Sequence, residues 1–482
     1  MPEIKKLPKD FLWGYATASY QVEGACEQDG RELSIWDTFS RDPTHTEDGK
    51  SGDVATDSYN RWEEDIALMK SYGVNAYRFS LSWSRIIPKG GRDDPVNPEG
   101  IAFYRNFILK LLENGIKPMP TIFHWDTPQA LQDKYLGFLN KDEIVQDFVR
   151  YADVCFENFG DLVETWLTIN EPNIYSILGH CIGAHAPGRS SDRTKSPEGN
   201  SLTEPYIVGH SLLVCHARTI NLWRTKYKQK YPHVKLGIVI NVNWGEPYDS
   251  SEGSKEAAEE FMHKASLWLS DPVYFGDYSD YLKSKVGDRL PVFTEEEKSL
   301  LKGSNDFFGL NHYTAYYIKK RTTPIGPTDF MAQLMPDIEP TQIGSDGKEI
   351  GPKAGLSWVR PVAWGFRKLL EYLYDRYHQD IYITENGVIC PNERNLPREV
   401  GLKDQFRIDY FKDYANQIID LVNEGRVPVK SYIIWSFLDN FEWQEGFTRF
   451  GVTWVDFDDK LTRYPKDSAG YIKKFFEDHL EK

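Results

Sequence analysis

Two acidic residues stand where an apolar run gives way to a turn: residues 162–169 lead into Asn170-Glu171-Pro172, and residues 381–384 lead into Glu385-Asn386-Gly387. Both runs are rich in β-branched and aromatic side chains and read as buried strands. Pro172 and Asn386-Gly387 stop them at once. In a parallel α/β barrel the C-terminal ends of the strands are where reacting groups gather, so Glu171 and Glu385 have the types and places of an acid and a nucleophile. Other strand ends carry polar and aromatic residues that a packed core would exclude: Gln21, Arg78, His124, Trp125, Asn170, Asn311, Tyr313, Trp435, Glu442 and Trp443.

Those residues need a scaffold that brings distant strand ends together. Apolar runs ahead of a polar or aromatic cluster predict eight strands, at 11–18, 74–80, 117–124, 163–170, 235–241, 306–311, 380–385 and 431–435. Helical periodicity falls between them, at 59–72, 101–114, 141–159, 201–231, 364–378 and 405–424, and Gly73, Gly115 and Gly160 follow three of these helices as C-terminal caps would. Strand and helix alternating eight times predicts an α/β fold closed into a single (β/α)8 TIM barrel, one domain across residues 1–482. A doubly wound open sheet is the weaker alternative, because no Gly-x-Gly-x-x-Gly turn follows the first strand. The irregular stretches 188–204, 320–357 and 391–403 then fall around the same face as binding loops. Trp358, just beyond the second, is placed to wall a pocket.

Composition narrows the function classes. A net charge of −15 argues against nucleic acid or an anionic membrane as partner. No apolar run approaches the roughly 18 residues of a membrane span, and the first residues, Met1-Pro2-Glu3-Ile4-Lys5-Lys6-Leu7-Pro8, lack a signal-peptide core. Five widely spaced cysteines without a CxxC pair, and no Asn-x-Ser/Thr sequon, fit reduced thiols and a cytoplasmic location. Aromatic residues make up 14% of the chain; most serve the core, and the remainder suit the stacking of apolar sugar faces.

The segment Phe11-Leu12-Trp13-Gly14-Tyr15-Ala16-Thr17-Ala18-Ser19-Tyr20-Gln21-Val22-Glu23-Gly24 resembles the amino-terminal signature of glycoside hydrolase family 1, the β-glucosidase family. Asn170-Glu171-Pro172 and Thr384-Glu385-Asn386-Gly387 resemble its two catalytic motifs, and the likeness runs in order to Trp435, Glu442 and Trp443. The resemblance implies a retaining β-glucosidase with Glu171 as general acid/base and Glu385 as nucleophile, without metal or cofactor, acting on small β-glucosides such as cellobiose. Retention needs carboxyl groups about 5–5.5 Å apart, and strands four and seven are expected on opposite sides of the barrel. The resemblance further implies that Arg78, with the Tyr313 hydroxyl, keeps Glu385 ionised. That charge is expected to hold a proton on Glu171. Asn170 and Asn311 would support the pair, and Gln21, His124, Trp125, Asn170, Tyr313, Glu442 and Trp443 would bind sugar hydroxyls over a Trp435 platform. Glu442 implies an unphosphorylated sugar, since a carboxylate there repels a 6-phosphate. Glu171, where thioglucosidases carry glutamine, implies an O-glycoside. Asn173, Leu178, His180 and Trp358 resemble the family's leaving-group residues, with Asn173 and His180 departing from the aromatic residues common there.

Two rival classes remain. His124, Asp126, His180 and His185 could ligate a metal, although no His-x-His, His-Glu-x-x-His or cysteine cluster supports a site. A sugar-binding relative without turnover would normally have lost one of the two carboxylates.

Overall fold

The computed structural model describes residues 5–481. Eight strands form a closed barrel: β1 (Leu12–Ala16), β2 (Ala76–Ser80), β3 (Lys117–Phe123), β4 (Thr165–Asn170), β5 (Lys235–Asn241), β6 (Phe308–Asn311), β7 (Ile381–Glu385) and β8 (Val429–Trp435). Each pairs in parallel with its sequence neighbours, and β1 closes on β8. Helices cover the outer face, so the strands are buried on both sides and read as continuous apolar runs. The fold is therefore the expected α/β (β/α)8 barrel.

β6 begins two residues later than its apolar run predicts. The side chains of Asn305 and Asp306 take over the ladder there, accepting from the backbone N–H groups of Ile238 and Leu236 at 2.9 Å each. The helix predicted at 101–114 begins earlier, at Pro98, because Asn97 accepts from Glu99 N–H and Pro98 occupies the first turn, where no N–H is needed. Gly73 and Gly115 end their helices in left-handed backbone, at φ +75° and +74°. Gly160 does not: it stays right-handed at φ −62°, and it is a close-approach glycine, since a Cβ there would lie 2.5 Å from the Phe156 carbonyl oxygen.

At the C-terminal rim the stretch 320–357 is not wholly irregular. It contains a helical turn, Phe330–Leu334, and a strand, Ile338–Thr341, that pairs antiparallel with Ala315–Lys320, itself parallel to Trp244–Pro247. Beneath the loops after β7 and β8 lies a buried ion network. Glu393 meets Arg407 at 2.5 Å and Lys466 at 2.6 Å, while Lys466 and Arg449 meet Asp439 at 2.8 and 2.6 Å. It joins the loop behind Glu385 to the one that carries Glu442 and Trp443. No helix among the described residues is long and apolar enough to cross a membrane.

Candidate active site

Strand register sets the level of each side chain at the barrel's C-terminal mouth. Glu385 pairs with Asn311, and Asn311 with Asn241, so β7, β6 and β5 end in one layer. Register shifts precede both Glu385 on β7 and Asn170 on β4; such irregularities re-aim side chains next to sites. Glu171, one residue past β4, takes left-handed backbone at φ 44° while its N–H bonds Val239 O at 2.8 Å and Pro172 opens the next helix. Trp125 and Trp443 are also left-handed, at φ 77° and 55°. Non-glycine residues in this region cost about 1–3 kcal/mol and cluster at functional sites. Gly387 lets the chain after Glu385 pass against Trp435, whose carbonyl oxygen would be 1.8 Å from any Cβ there.

Strands four and seven are not on opposite sides of the barrel. Only β5 and β6 separate them along the shorter arc, which brings Asn311 and Tyr313, from the end of β6, between the two acids. Asn311 Nδ2 donates to Glu171 Oε1 at 2.6 Å, and the Tyr313 hydroxyl donates to Glu385 Oε2 at 2.6 Å. Arg78 Nη1 donates to Glu385 Oε1 at 2.5 Å, and Arg78 Nη2 to Asn170 Oδ1 at 2.6 Å.

The surroundings split the pair electrostatically. Burial, then the neighbouring Glu385 charge, pushes the Glu171 carboxyl up to about 8, with Asn241, Asn311 and Arg78 opposing. Burial therefore exceeds the charge repulsion expected from sequence. Burial leaves Glu385 raised too, with Arg78, Tyr313 and Asn311 opposing the rise. Glu385 has a guanidinium in contact and Glu171 has only neutral amides, so a proton shared by the two resides on Glu171.

The two acids line a cavity of about 310 Å³ with Gln21, His124, Trp125, Asn170, Leu178, Tyr313, Trp358, Trp435, Glu442 and Trp443. Gln21 Nε2 and Trp435 Nε1 reach Glu442 Oε2 at 3.3 and 3.2 Å, and burial pushes Glu442 up to about 8. Asn170 Oδ1 accepts from Arg78 and Asn311, so its amide N–H faces His124 Nε2 at 3.0 Å. His124 Nδ1 then carries the ring hydrogen. Burial and Arg78 keep this histidine neutral, well below its ordinary value. Among the described residues Gln21 Oε1 and His124 Nδ1 are buried without a protein partner, which suits a ligand rich in hydroxyls. Trp443 packs at 4.8 Å from Trp125 and 4.5 Å from Trp36. Past Leu356, Trp358 and Glu445 a groove of about 500 Å³ continues outward to Glu47 and Arg394.

Two residues expected on the leaving-group side are turned away from this cavity. Asn173 is buried under β5, its Nδ2 donating to Asn241 O at 2.9 Å and Ala265 O at 3.2 Å. His180 is buried in a wide helical turn, Leu178–Ile182, with its ring 5.5 Å from Tyr175. Helix geometry explains both, because Ile174 and Leu178, four apart, take the cavity side. The motifs did not mark Ile174, Asn241, Asn243, Leu356, Gln444, Glu445 and Phe450, which also line the cavity. Asn241 alone carried a usable signal, as a polar residue ending a predicted strand.

At the opposite mouth of the barrel a hollow of about 370 Å³ pairs Lys117 with Glu164 and Lys235 with Asp380. His124, Asp126, His180 and His185 do not converge as ligands. Among the described residues Cys26, Asp37 and Asp53 group their ligand atoms within 4.8 Å, but Arg31 holds both oxygens of Asp37 at 3.2 and 2.9 Å.

Comparison with known proteins gives a consistent picture. The model of glycosyl hydrolase family 1 matches residues 3–480. A protein named β-glucosidase 1B from Phanerodontia chrysosporium is 53% identical over 476 residues, which cover 98% of this chain and 86% of that one. β-Glucosidase 40 of Arabidopsis thaliana is 44% identical over 473 residues, 97% of this chain and 92% of its own. The crystal structure of a β-glucosidase from the fungus Humicola insolens in complex with glucose superposes with a TM-score of 0.95 at 47% identity, covering 99% of each chain.

Proposed function

The chain belongs to glycosyl hydrolase family 1, and on that premise we propose that it is a retaining β-glucosidase, one catalytic unit over residues 1–482, releasing terminal glucose from cellobiose, short β-gluco-oligosaccharides and aryl or alkyl β-glucosides. The observation that carries the reading is the electrostatic split within one cavity: Glu385 against Arg78 and Tyr313, Glu171 among neutral amides. Glu385 attacks the anomeric carbon while Glu171 gives its proton to the departing oxygen, and a covalent glucosyl ester forms. Esterification removes the charge of Glu385, so Glu171 ionises and takes a proton from water in the second step.

Gln21, His124, Asn170, Glu442 and Trp443 bind the glucosyl hydroxyls above Trp435. Leu178 and Trp358 contact the leaving group. Glu442, a buried carboxyl whose protein partners are Gln21 and Trp435, offers a 6-phosphate no counter-charge and so disfavours a 6-phosphorylated sugar. Gln21 and Glu442 can share either orientation of the 4-hydroxyl, which extends the proposal to β-galactosides and β-fucosides, and a sugar alcohol in place of water gives transglycosylation.

The test is a kcat/KM panel over nitrophenyl glycosides and β-linked glucose disaccharides, with the first product followed by NMR. β-Glucose must appear before its α-anomer; α-glucose first would overturn the retaining assignment. The same reading sets a pH dependence. Free enzyme needs Glu171 protonated, so kcat/KM falls as pH rises through about 8. Glu442 titrates in that range as well, and E442Q separates the two: weaker binding is expected, with the basic limb still present.

A further inference from the structure

Asn241 closes β5 and lies level with Asn311. Its Nδ2 donates to Glu171 Oε1 at 3.0 Å, and Asn311 Nδ2 donates to the same oxygen at 2.6 Å. Among the described residues Oε2 of Glu171 receives no hydrogen bond from the protein. The two amides cannot turn round freely. Thr384 Oγ1 donates to Asn311 Oδ1 at 2.7 Å, which commits the Asn311 N–H to Glu171. Asn243 Nδ2 lies 3.5 Å from Asn241 Oδ1. The main chain of Asn241 is pinned as well, since its carbonyl accepts from Ser266 Oγ at 2.8 Å and from Asn173 Nδ2 at 2.9 Å.

We infer that Asn241 is a positioning residue for proton transfer: with Asn311 it makes Oε1 of Glu171 the carbonyl oxygen of the neutral acid, so that the transferable proton is held on Oε2. The inference rests on the reading of Glu171 as the acid. A protonated carboxyl has one good acceptor, its carbonyl oxygen, and one donor, its hydroxyl. Two N–H donors on Oε1 therefore select one of two otherwise equivalent tautomers. During glycosylation the Oε2–H bond breaks, the proton passes to the glycosidic oxygen and the electron pair stays on the carboxylate. In hydrolysis of the ester Oε2 takes a proton back from water, again with Oε1 held. The same two donors strengthen the acid, because an N–H bond to a carboxylate favours the ionised form. Asn173, turned away from the cavity, thus serves the site by holding the Asn241 backbone.

The experiment compares wild type with N241A and with N241D, whose side chain keeps the size of asparagine but presents an acceptor. Each is assayed on β-glucosides with leaving groups from dinitrophenol to methanol, over the full pH range. For N241A, kcat/KM is expected to fall about 10- to 50-fold on methyl glucoside and cellobiose and less than about threefold on the dinitrophenyl glucoside, which needs no acid. The basic limb is expected to move up by about one pH unit. N241D, with a negative acceptor beside Oε1, is expected to show a larger loss on the unactivated substrates and a further rise of the limb. Equal losses across all leaving groups with an unmoved limb, or an N241D enzyme that matches wild type, would overturn the inference. E171Q assayed on the same series separates the two claims, because if its loss does not depend on the leaving group, the acid assignment itself has failed.

Discussion

Replacing Glu385 with alanine is expected to lower kcat/KM on β-glucosides by at least about 10⁴-fold, since the covalent route is lost while binding groups remain. Neither Glu442 nor Glu171 can take over. Glu442 binds Gln21 and Trp435 and has no cation in contact, and Glu171 is held through Oε1 by the neutral amides of Asn241 and Asn311. Azide small enough to fill the space left by the side chain should restore turnover of an activated glucoside and give α-glucosyl azide, the product of a single inversion. Alanine also leaves Arg78, a buried guanidinium, without its carboxylate, and removing one partner of such a pair is destabilising. Thermal unfolding of E385A and of E385Q, which keeps the shape of the side chain, separates lost chemistry from lost fold. Full activity in E385Q, or a β-configured azide product from E385A, would remove Glu385 from the role of nucleophile.

E171Q is expected to behave differently. It keeps the carbonyl that Asn241 and Asn311 hold but has no proton to give, so kcat/KM on cellobiose should fall about 10²- to 10⁴-fold, the usual contribution of general acid catalysis. A dinitrophenyl glucoside should still load the enzyme, because its leaving group departs as an anion. Hydrolysis of the ester, which needs the base, then becomes limiting. The observable result is a burst of dinitrophenol equal to the enzyme present, followed by slow turnover, with the glucosyl adduct on Glu385 visible by mass spectrometry. Azide should relieve the slow step and give β-glucosyl azide, the opposite anomer from the E385A product. Absence of a burst together with unchanged cellobiose hydrolysis would contradict the assignment.

The parts of this site legible in sequence are those governed by local rules. An apolar run closed by Pro172 or Asn386-Gly387 announces both a strand and the polar residue at its end, and the eight runs therefore located the barrel and its mouth. The parts not legible depend on register and on contacts between distant loops. Nothing local to Asn241 says that it lies level with Asn311 or that its amide meets Glu171. The strand Ile338–Thr341 was hidden by Pro340, which normally argues against a strand but is tolerated at an edge. Asn173 and His180 were misplaced because position after an acid in sequence does not fix which side of the following helix faces the cavity. The network around Lys466 and Glu393 joins residues far apart in the chain, and no spacing advertises it.

Glu171, Trp125 and Trp443 all occupy left-handed backbone that glycine would adopt without steric strain. For a population no longer selected for turnover, replacement of Glu171, a strained and desolvated acid, is a direction in which drift and selection for a stable barrel agree, whereas Trp125 and Trp443 are buried and their loss would open cavities. Such a lineage would forfeit its acid while the tryptophan walls and the fold persisted, so sugar chemistry in this architecture is lost earlier than shape.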